Sequence, residues 1–153
     1  MRLLLLSLPL LWTILPEPLR AEEMIAVIVP TAPLLTDAPS REELASIYGR
    51  KKLFWENGAR IIPVNLPAAH RLRRSFSRLV LGALPEAMAA YWNAQYFHGI
   101  APPYVLASEE AVLQFVATTP GAIGYVNMSD VRSGVKVVRI GGLLPGEPGY
   151  PLR

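Results

Sequence analysis

The sequence of 153 residues contains no cysteine. This absence excludes disulfide bonds and thiolate metal ligands, and it excludes a lipid anchor on a cysteine behind a signal sequence. Charge of one sign is not in large excess either, because the formal net charge is only +3. An excess this small gives no reason to expect nucleic acid or a membrane surface as a partner.

Side chains that carry out catalysis are also scarce. The chain has two aspartates, Asp37 and Asp130, and two histidines, His70 and His98. It lacks a Gly-x-Ser-x-Gly nucleophile motif, a His-Glu-x-x-His zinc motif and a Gly-x-x-x-x-Gly-Lys phosphate loop. Ser75, His70 and Asp130 can be combined into a triad, but their spacing gives it no support. We therefore expect no enzyme, no metal site and no cofactor.

The N-terminal segment has the order of a secretory signal peptide. Arg2 precedes an apolar run from Leu3 to Leu15, and Ala21 supplies a small residue before a cut at Glu22. The alternative is a transmembrane anchor, but the run is shorter than the roughly 20 apolar residues that a bilayer requires. We expect residues 1–21 to be a cleaved signal peptide.

Strand and helix patterns alternate in the remaining chain. Strands are predicted over 24–29, 59–64, 104–106, 122–126 and 135–140, and helices over 41–48, 69–81, 85–98 and 109–118. This alternation predicts one α/β domain over 22–140, a three-layer lobe whose mainly parallel five-stranded sheet is flanked by about four helices. The Gly- and Pro-rich tail over 141–153 is expected to be loose.

Basic residues are concentrated where the second predicted helix begins, over residues 67–74. Backbone N–H groups and the helix dipole attract anions at such a position. Ala69, His70, Arg71 and Arg73 are therefore the candidate anion-binding residues. The alternative is a solvated basic helix face, with His70 as an ordinary loop residue.

Aromatic residues cluster on the third predicted helix, which carries Tyr91, Trp92, Tyr96 and Phe97. Core packing is the commoner use of such residues, and we expect it here in preference to a stacking platform. Trp55 precedes a turn signature and is expected to plug the sheet edge beside that turn.

Two stretches of the chain resemble a known family. The first is Leu44…Ile47-Tyr48-Gly49-Arg50-Lys51…Trp55…Gly58…Ile62-Pro63-Val64, and the second is Thr119-Pro120-Gly121-Ala122-Ile123-Gly124-Tyr125-Val126. Both are similar to the phosphate-type substrate-binding proteins of ABC transporters, and the resemblance spans residues 24–126. It implies a type II periplasmic-binding-protein fold, a periplasmic location, and an anion held between two α/β lobes at helix N-termini.

The chain departs from that family in two respects. It is too short for two lobes and matches the inserted second lobe with its flanking strands. The family's Ser-Gly-Ser-Gly-Thr loop is replaced by residues 67–72, so the hydroxyls that donate to phosphate are missing. Arg73 is the one residue carried over in kind, while His70 and Arg71 leave a charge-assisted contact possible.

Two functions therefore stay open. The first is a single-lobe solute-binding protein that binds phosphate or a related oxyanion, works with an ABC permease and completes its cleft as a homodimer. The second is an accessory or sensory module that has lost ligand binding and docks a membrane or periplasmic partner.

Overall fold

A five-stranded sheet organises the described part of the protein, residues 23–32 and 38–153 of a computed structural model. The predicted signal peptide over 1–21 lies outside these residues. The strands are β1 Ile25–Pro30, β2 Ile62–Asn65, β3 Tyr104–Val105, β4 Ala122–Asn127 and β5 Val135–Val137. Their order across the sheet is β3-β2-β4-β1-β5.

The sheet is mixed: the strand pairs at the β3 end of the order are parallel, and those at the β5 end are antiparallel. β2 pairs in parallel with β3 and β4, whereas β1 pairs antiparallel with β4 and β5. β1 therefore runs against the other four strands. All six of its residues are buried, as a strand covered on both faces requires. The predicted five-stranded α/β lobe is confirmed.

Four α-helices accompany the strands in the described part of the chain. They are α1 Arg41–Tyr48, α2 Arg71–Phe76, α3 Ala89–Phe97 and α4 Glu109–Thr118. α2 continues into a π-helical turn, Ser77–Leu81, and a 3₁₀ turn, Pro85–Met88, leads into α3. Within residues 23–32 and 38–153, no helix has both the length and the apolar character needed to cross a bilayer.

The helices cover both faces of the sheet. Neighbouring residues of a strand point to opposite faces, as Gly124 and Tyr125 do on β4. The Tyr125 ring stacks on Phe76 of α2, with centroids 3.8 Å apart. On the other face, a Cβ added to Gly124 would lie 2.7 Å from Val112 Cγ1 of α4. α2 and α4 therefore lie on opposite faces, and α1 joins α2 because Tyr48 also contacts the Tyr125 ring.

The C-terminal tail is not loose, and that expectation was wrong. Tyr150 is only 2% exposed and Leu152 is fully buried. The Tyr150 hydroxyl donates to the Ile25 carbonyl oxygen of β1 at 2.8 Å. The tail therefore completes the core beside β1, although its glycines and prolines hide any regular apolar pattern.

The aromatic residues of α3 are less buried than expected. Tyr96 and Phe97 are 76% and 86% exposed, so the prediction that they pack in the core was wrong. Tyr91 is half-buried, and its hydroxyl donates to the Gly49 carbonyl oxygen at 2.6 Å. Trp55 is half-buried near the start of β4, where its Nε1 donates to the Gly121 carbonyl oxygen at 3.0 Å.

Candidate functional site

The carboxyl ends of the parallel strands bring the starts of two helices together. β2 leads to α2 on the Tyr125 face, and the neighbouring β3 leads to α4 on the opposite face. Where two adjacent parallel strands connect to opposite faces, their loops diverge and leave an opening outside the strand ends. Ligands of α/β proteins bind at such places. We call the region between the N-termini of α2 and α4 the crevice.

His70 and Glu109 join these two helix starts. The His70 side chain caps α2, because its Nδ1 accepts the Leu72 N–H at 3.2 Å. Its Nε2 lies 3.7 Å from Glu109 Oε1. Glu109 in turn accepts the Asn127 N–H from the end of β4 at 2.6 Å. One of the backbone donors expected to hold an anion is thus already satisfied by the side chain of His70.

Arg71, Ala69 and Arg74 contribute less to the crevice than their positions in the sequence suggested. The Arg71 guanidinium is half-exposed and pairs with Glu23, just ahead of β1. Ala69 lies in the exposed turn before His70 and brings no polar side chain. Arg74 forms two hydrogen bonds to Glu86, at 2.9 and 3.0 Å. Carboxylates therefore already neutralise Arg71 and Arg74.

Arg73 is different, because it pairs with no carboxylate in the part of the chain that the structure describes. Its half-buried side chain donates from Nη1 to the Leu66 carbonyl oxygen at the end of β2, at 3.4 Å. None of the ion pairs among residues 23–32 and 38–153 includes Arg73. Its guanidinium also interacts with the Tyr125 hydroxyl. Both groups are neutral, so the positive charge of Arg73 remains available to an anion.

Tyr125 and Asn65 form a buried polar pair close to Arg73. The Tyr125 hydroxyl donates to Asn65 Oδ1 at 3.0 Å and accepts the Leu66 N–H at 3.5 Å. Burial raises the pKa of Tyr125 to about 12, although the positive charge of Arg73 acts in the opposite direction. Tyr125 is therefore neutral at physiological pH and adds no negative charge to the crevice.

Sequence reasoning found Arg73 but missed Asn65, Tyr125 and Glu109. Asn65 carried a usable signal, because it is a polar residue that ends an otherwise apolar strand at the carboxyl edge. Glu109 was interpreted only as a favourable charge in the first turn of α4. Tyr125 has the sequence context of an ordinary core residue within a buried strand, so its hydrogen bond to Asn65 could not be predicted from the sequence.

The chemistry available in the crevice is binding by charge and hydrogen bonds. It offers the guanidinium of Arg73, the imidazole of His70 and the backbone at the start of α2. In the part of the chain that the structure describes, no three His, Asp or Glu side chains are grouped so that they could hold a metal ion.

No family model and no curated protein sequence matches the chain. Solved structures do match. One is a Clostridium perfringens protein assigned as a phosphate ABC transporter substrate-binding protein, with bound phosphate: TM-score 0.63, 21% identity, 78% of this chain and 46% of that one. An ABC-type phosphate transport receptor from Vibrio cholerae matches with a TM-score of 0.67 and 19% sequence identity. This match covers 84% of the present chain and 53% of the receptor. PstS from Borrelia burgdorferi matches with a TM-score of 0.63 and 18% sequence identity, over 85% of the present chain and 55% of PstS.

These likenesses confirm the fold that the two resembling stretches predicted. The chain has the fold of part of a phosphate-type substrate-binding protein, and it spans about half the length of each of these structures. At such low identity the likeness concerns the fold alone.

Proposed function

We propose that this protein is an exported, non-enzymatic solute-binding protein that takes phosphate or a related oxyanion into the crevice at Arg73. The observation that carries the proposal is the Arg73 guanidinium at the carboxyl ends of the strands, which has no carboxylate partner among the described residues. The fold supports it, because the Clostridium perfringens structure with the same fold holds phosphate. We further propose a periplasmic location after removal of residues 1–21, and an ABC permease as the partner.

The four residues selected from the sequence have unequal roles in this proposal. Arg73 supplies the charge-assisted hydrogen bonds that an oxyanion accepts. His70 adds a ring nitrogen, and Ala69 contributes only backbone at the start of α2. Arg71 contributes only if its guanidinium leaves Glu23, which neutralises it.

Glu109 limits how strongly the crevice attracts an anion. Its carboxylate lies beside His70, so it repels a phosphate placed at the start of α2. Glu109→Gln removes this charge, and the amide oxygen of glutamine can still accept the Asn127 N–H. This variant is therefore expected to bind phosphate more tightly than the wild type.

Calorimetric titration with phosphate tests the proposal, at low salt because salt screens half-exposed charges. Arg73→Ala is the test variant, and Arg78→Ala is the matched control because Arg78 is an exposed arginine on the turn that continues α2. Loss of a hydrogen bond to a charged group costs about 1.5–3 kcal/mol, so Arg73→Ala should weaken binding by about 10- to 100-fold. Arg78→Ala should bind as the wild type does. Absence of heat for the wild type, or equal affinity for wild type and Arg73→Ala, would contradict the proposal.

Self-association is a separate part of this proposal. A second copy is proposed to cover the crevice, because the chain spans about half the length of its structural neighbours. Light scattering should then show a dimer whose population rises with phosphate. A strict monomer at high concentration, with and without phosphate, would exclude the closed dimeric cleft.

The exposed aromatic pair on α3 favours a second candidate function, an accessory or sensory module that docks a membrane or periplasmic partner without binding a ligand. Tyr96 and Phe97 are largely exposed and their rings contact each other, with centroids 6.2 Å apart. In this case wild type should give no heat with phosphate. The tagged protein should retain a membrane partner that the Tyr96→Ser/Phe97→Ser variant loses. Phosphate binding together with equal retention by both proteins would count against this function.

A further inference from the structure

A second cavity lies at the amino ends of β2 and β3, at the opposite edge of the sheet from the crevice. Its volume is about 400 Å³. Most of its wall is apolar and includes Leu53, Ile62, Ile100, Pro102, Pro103 and Tyr104. Two cationic side chains, Arg50 and Arg60, also line it, and no carboxylate does.

The two arginines of this cavity have no ion-pair partner within the described ranges. Neither Arg50 nor Arg60 takes part in an ion pair among residues 23–32 and 38–153. Burial and, to a lesser degree, the positive charge of Arg60 lower the pKa of Arg50, so the Arg60 charge repels the Arg50 guanidinium. A bound anion would offset this repulsion.

Arg50 also has an unused donor. Its Nε is buried and has no hydrogen-bond partner, and its Nη1 reaches the Ile61 carbonyl oxygen only at 3.4 Å. Buried polar groups are normally satisfied, and an unsatisfied one is costly. Arg50 therefore lacks a full set of hydrogen bonds within the described ranges, and it lines the cavity.

The backbone at Arg50 is unusual as well. Its φ is 60°, and within the described ranges it is the one residue other than glycine with a positive φ. It follows α1, where the Arg50 N–H donates to the Ile47 carbonyl oxygen and the Lys51 N–H to that of Ser46. Glycine is the usual residue at this position of a helix end. The chain thus retains an arginine in a conformation that glycine adopts more easily, and that arginine lines the cavity.

We propose that this cavity binds a small organic carboxylate, with the carboxylate between Arg50 and Arg60 and an apolar body against Ile100 and Tyr104. The planar guanidinium fork matches the two oxygens of a carboxylate. The apolar wall favours a ligand with a hydrocarbon part, and a cavity of 400 Å³ is of the size that small molecules occupy. The proposal is independent of the phosphate crevice, because the two sites lie at opposite edges of the sheet.

Titration of the full chain with benzoate and hexanoate tests the proposal, with benzamide as the neutral analogue. Both carboxylates should bind, and benzamide should bind at least about tenfold more weakly because it lacks the charge. Saturating phosphate should leave benzoate binding unchanged. Failure of both carboxylates to bind, equal binding of benzamide, or displacement of benzoate by phosphate would overturn the proposal.

Two variants locate the site. Arg60→Gln and Arg50→Gly should each weaken benzoate binding by about tenfold or more, whereas the control Arg78→Gln, at an exposed position of α2's continuation, should change it by less than about twofold. Arg50→Gly should also keep or raise the melting temperature, because glycine suits the left-handed backbone. This separates loss of binding from loss of folding. Unchanged benzoate affinity in both Arg50→Gly and Arg60→Gln would refute the assignment.

Discussion

Removal of the last six residues, 148–153, should unfold the protein or leave it barely folded. The truncation removes Tyr150 and Leu152, which are 2% and 0% exposed. Loss of a buried leucine side chain costs about 2–5 kcal/mol, and loss of a large aromatic one about 3–5 kcal/mol. Together these amount to about 5–10 kcal/mol, comparable to the 5–15 kcal/mol that typically stabilises a whole domain.

Point variants divide this effect into its parts. Leu152→Ala should lower the free energy of unfolding by about 2–5 kcal/mol, because it leaves a cavity in the core. Tyr150→Phe should cost about 1 kcal/mol, because it removes the buried hydrogen bond to the Ile25 carbonyl oxygen. Substitution of the exposed Arg153 by alanine serves as the control and should change stability by less than about 0.5 kcal/mol.

Urea unfolding followed by far-UV circular dichroism measures all four proteins against the wild type. The urea concentration at the unfolding midpoint should be highest for Arg153→Ala and then decrease through Tyr150→Phe and Leu152→Ala to the truncated chain. If Leu152→Ala stays within about 0.5 kcal/mol of the wild type, or if the truncated chain unfolds at the wild-type midpoint, the tail is not part of the core.

Two further predictions concern β4. Gly124→Ala should lower the free energy of unfolding by about 1–3 kcal/mol in the same urea assay, because the alanine Cβ would lie 2.7 Å from Val112 Cγ1. A wild-type midpoint for this variant would mean that α4 does not pack against β4 as described. The pKa of Tyr125 is raised by burial to about 12 from an ordinary value near 10, so its contribution to stability is complete below about pH 10 and is lost as the pH rises to about 12. Tyr125→Phe should therefore reduce the loss of stability between pH 10 and 12 by up to about 2.7 kcal/mol, and equal losses in variant and wild type would contradict this linkage.

Local signals explain why parts of the fold could be predicted from the sequence. Ser40 and Ser108 mark the starts of α1 and α4, and each side chain accepts a backbone N–H three residues later, at 3.1 Å. The direction of β1 could not be predicted. A strand buried on both faces has the same apolar composition in either direction, and its partners on β4 are far away in the sequence.

The candidate site was predicted only in part for a similar reason. Charge clustering and loop position identified Arg73, but they could not show which arginines were already paired. Arg71 is neutralised by Glu23, 48 residues away, and Tyr125 contacts Asn65 across 60 residues. Such long-range pairs are set by the sheet order, which periodicity along a single chain does not contain.

Resonance shifts during a phosphate titration test the central proposal most directly, because they show where the anion binds. With the ¹⁵N-labelled full chain at low salt, the largest changes should occur in the backbone amides of residues 69–73 and in the Nε–H signal of Arg73. They should be lost in Arg73→Ala and kept in Arg78→Ala. Shifts confined to Arg50 and Arg60, or no shifts at all in residues 69–73, would contradict an oxyanion site at Arg73.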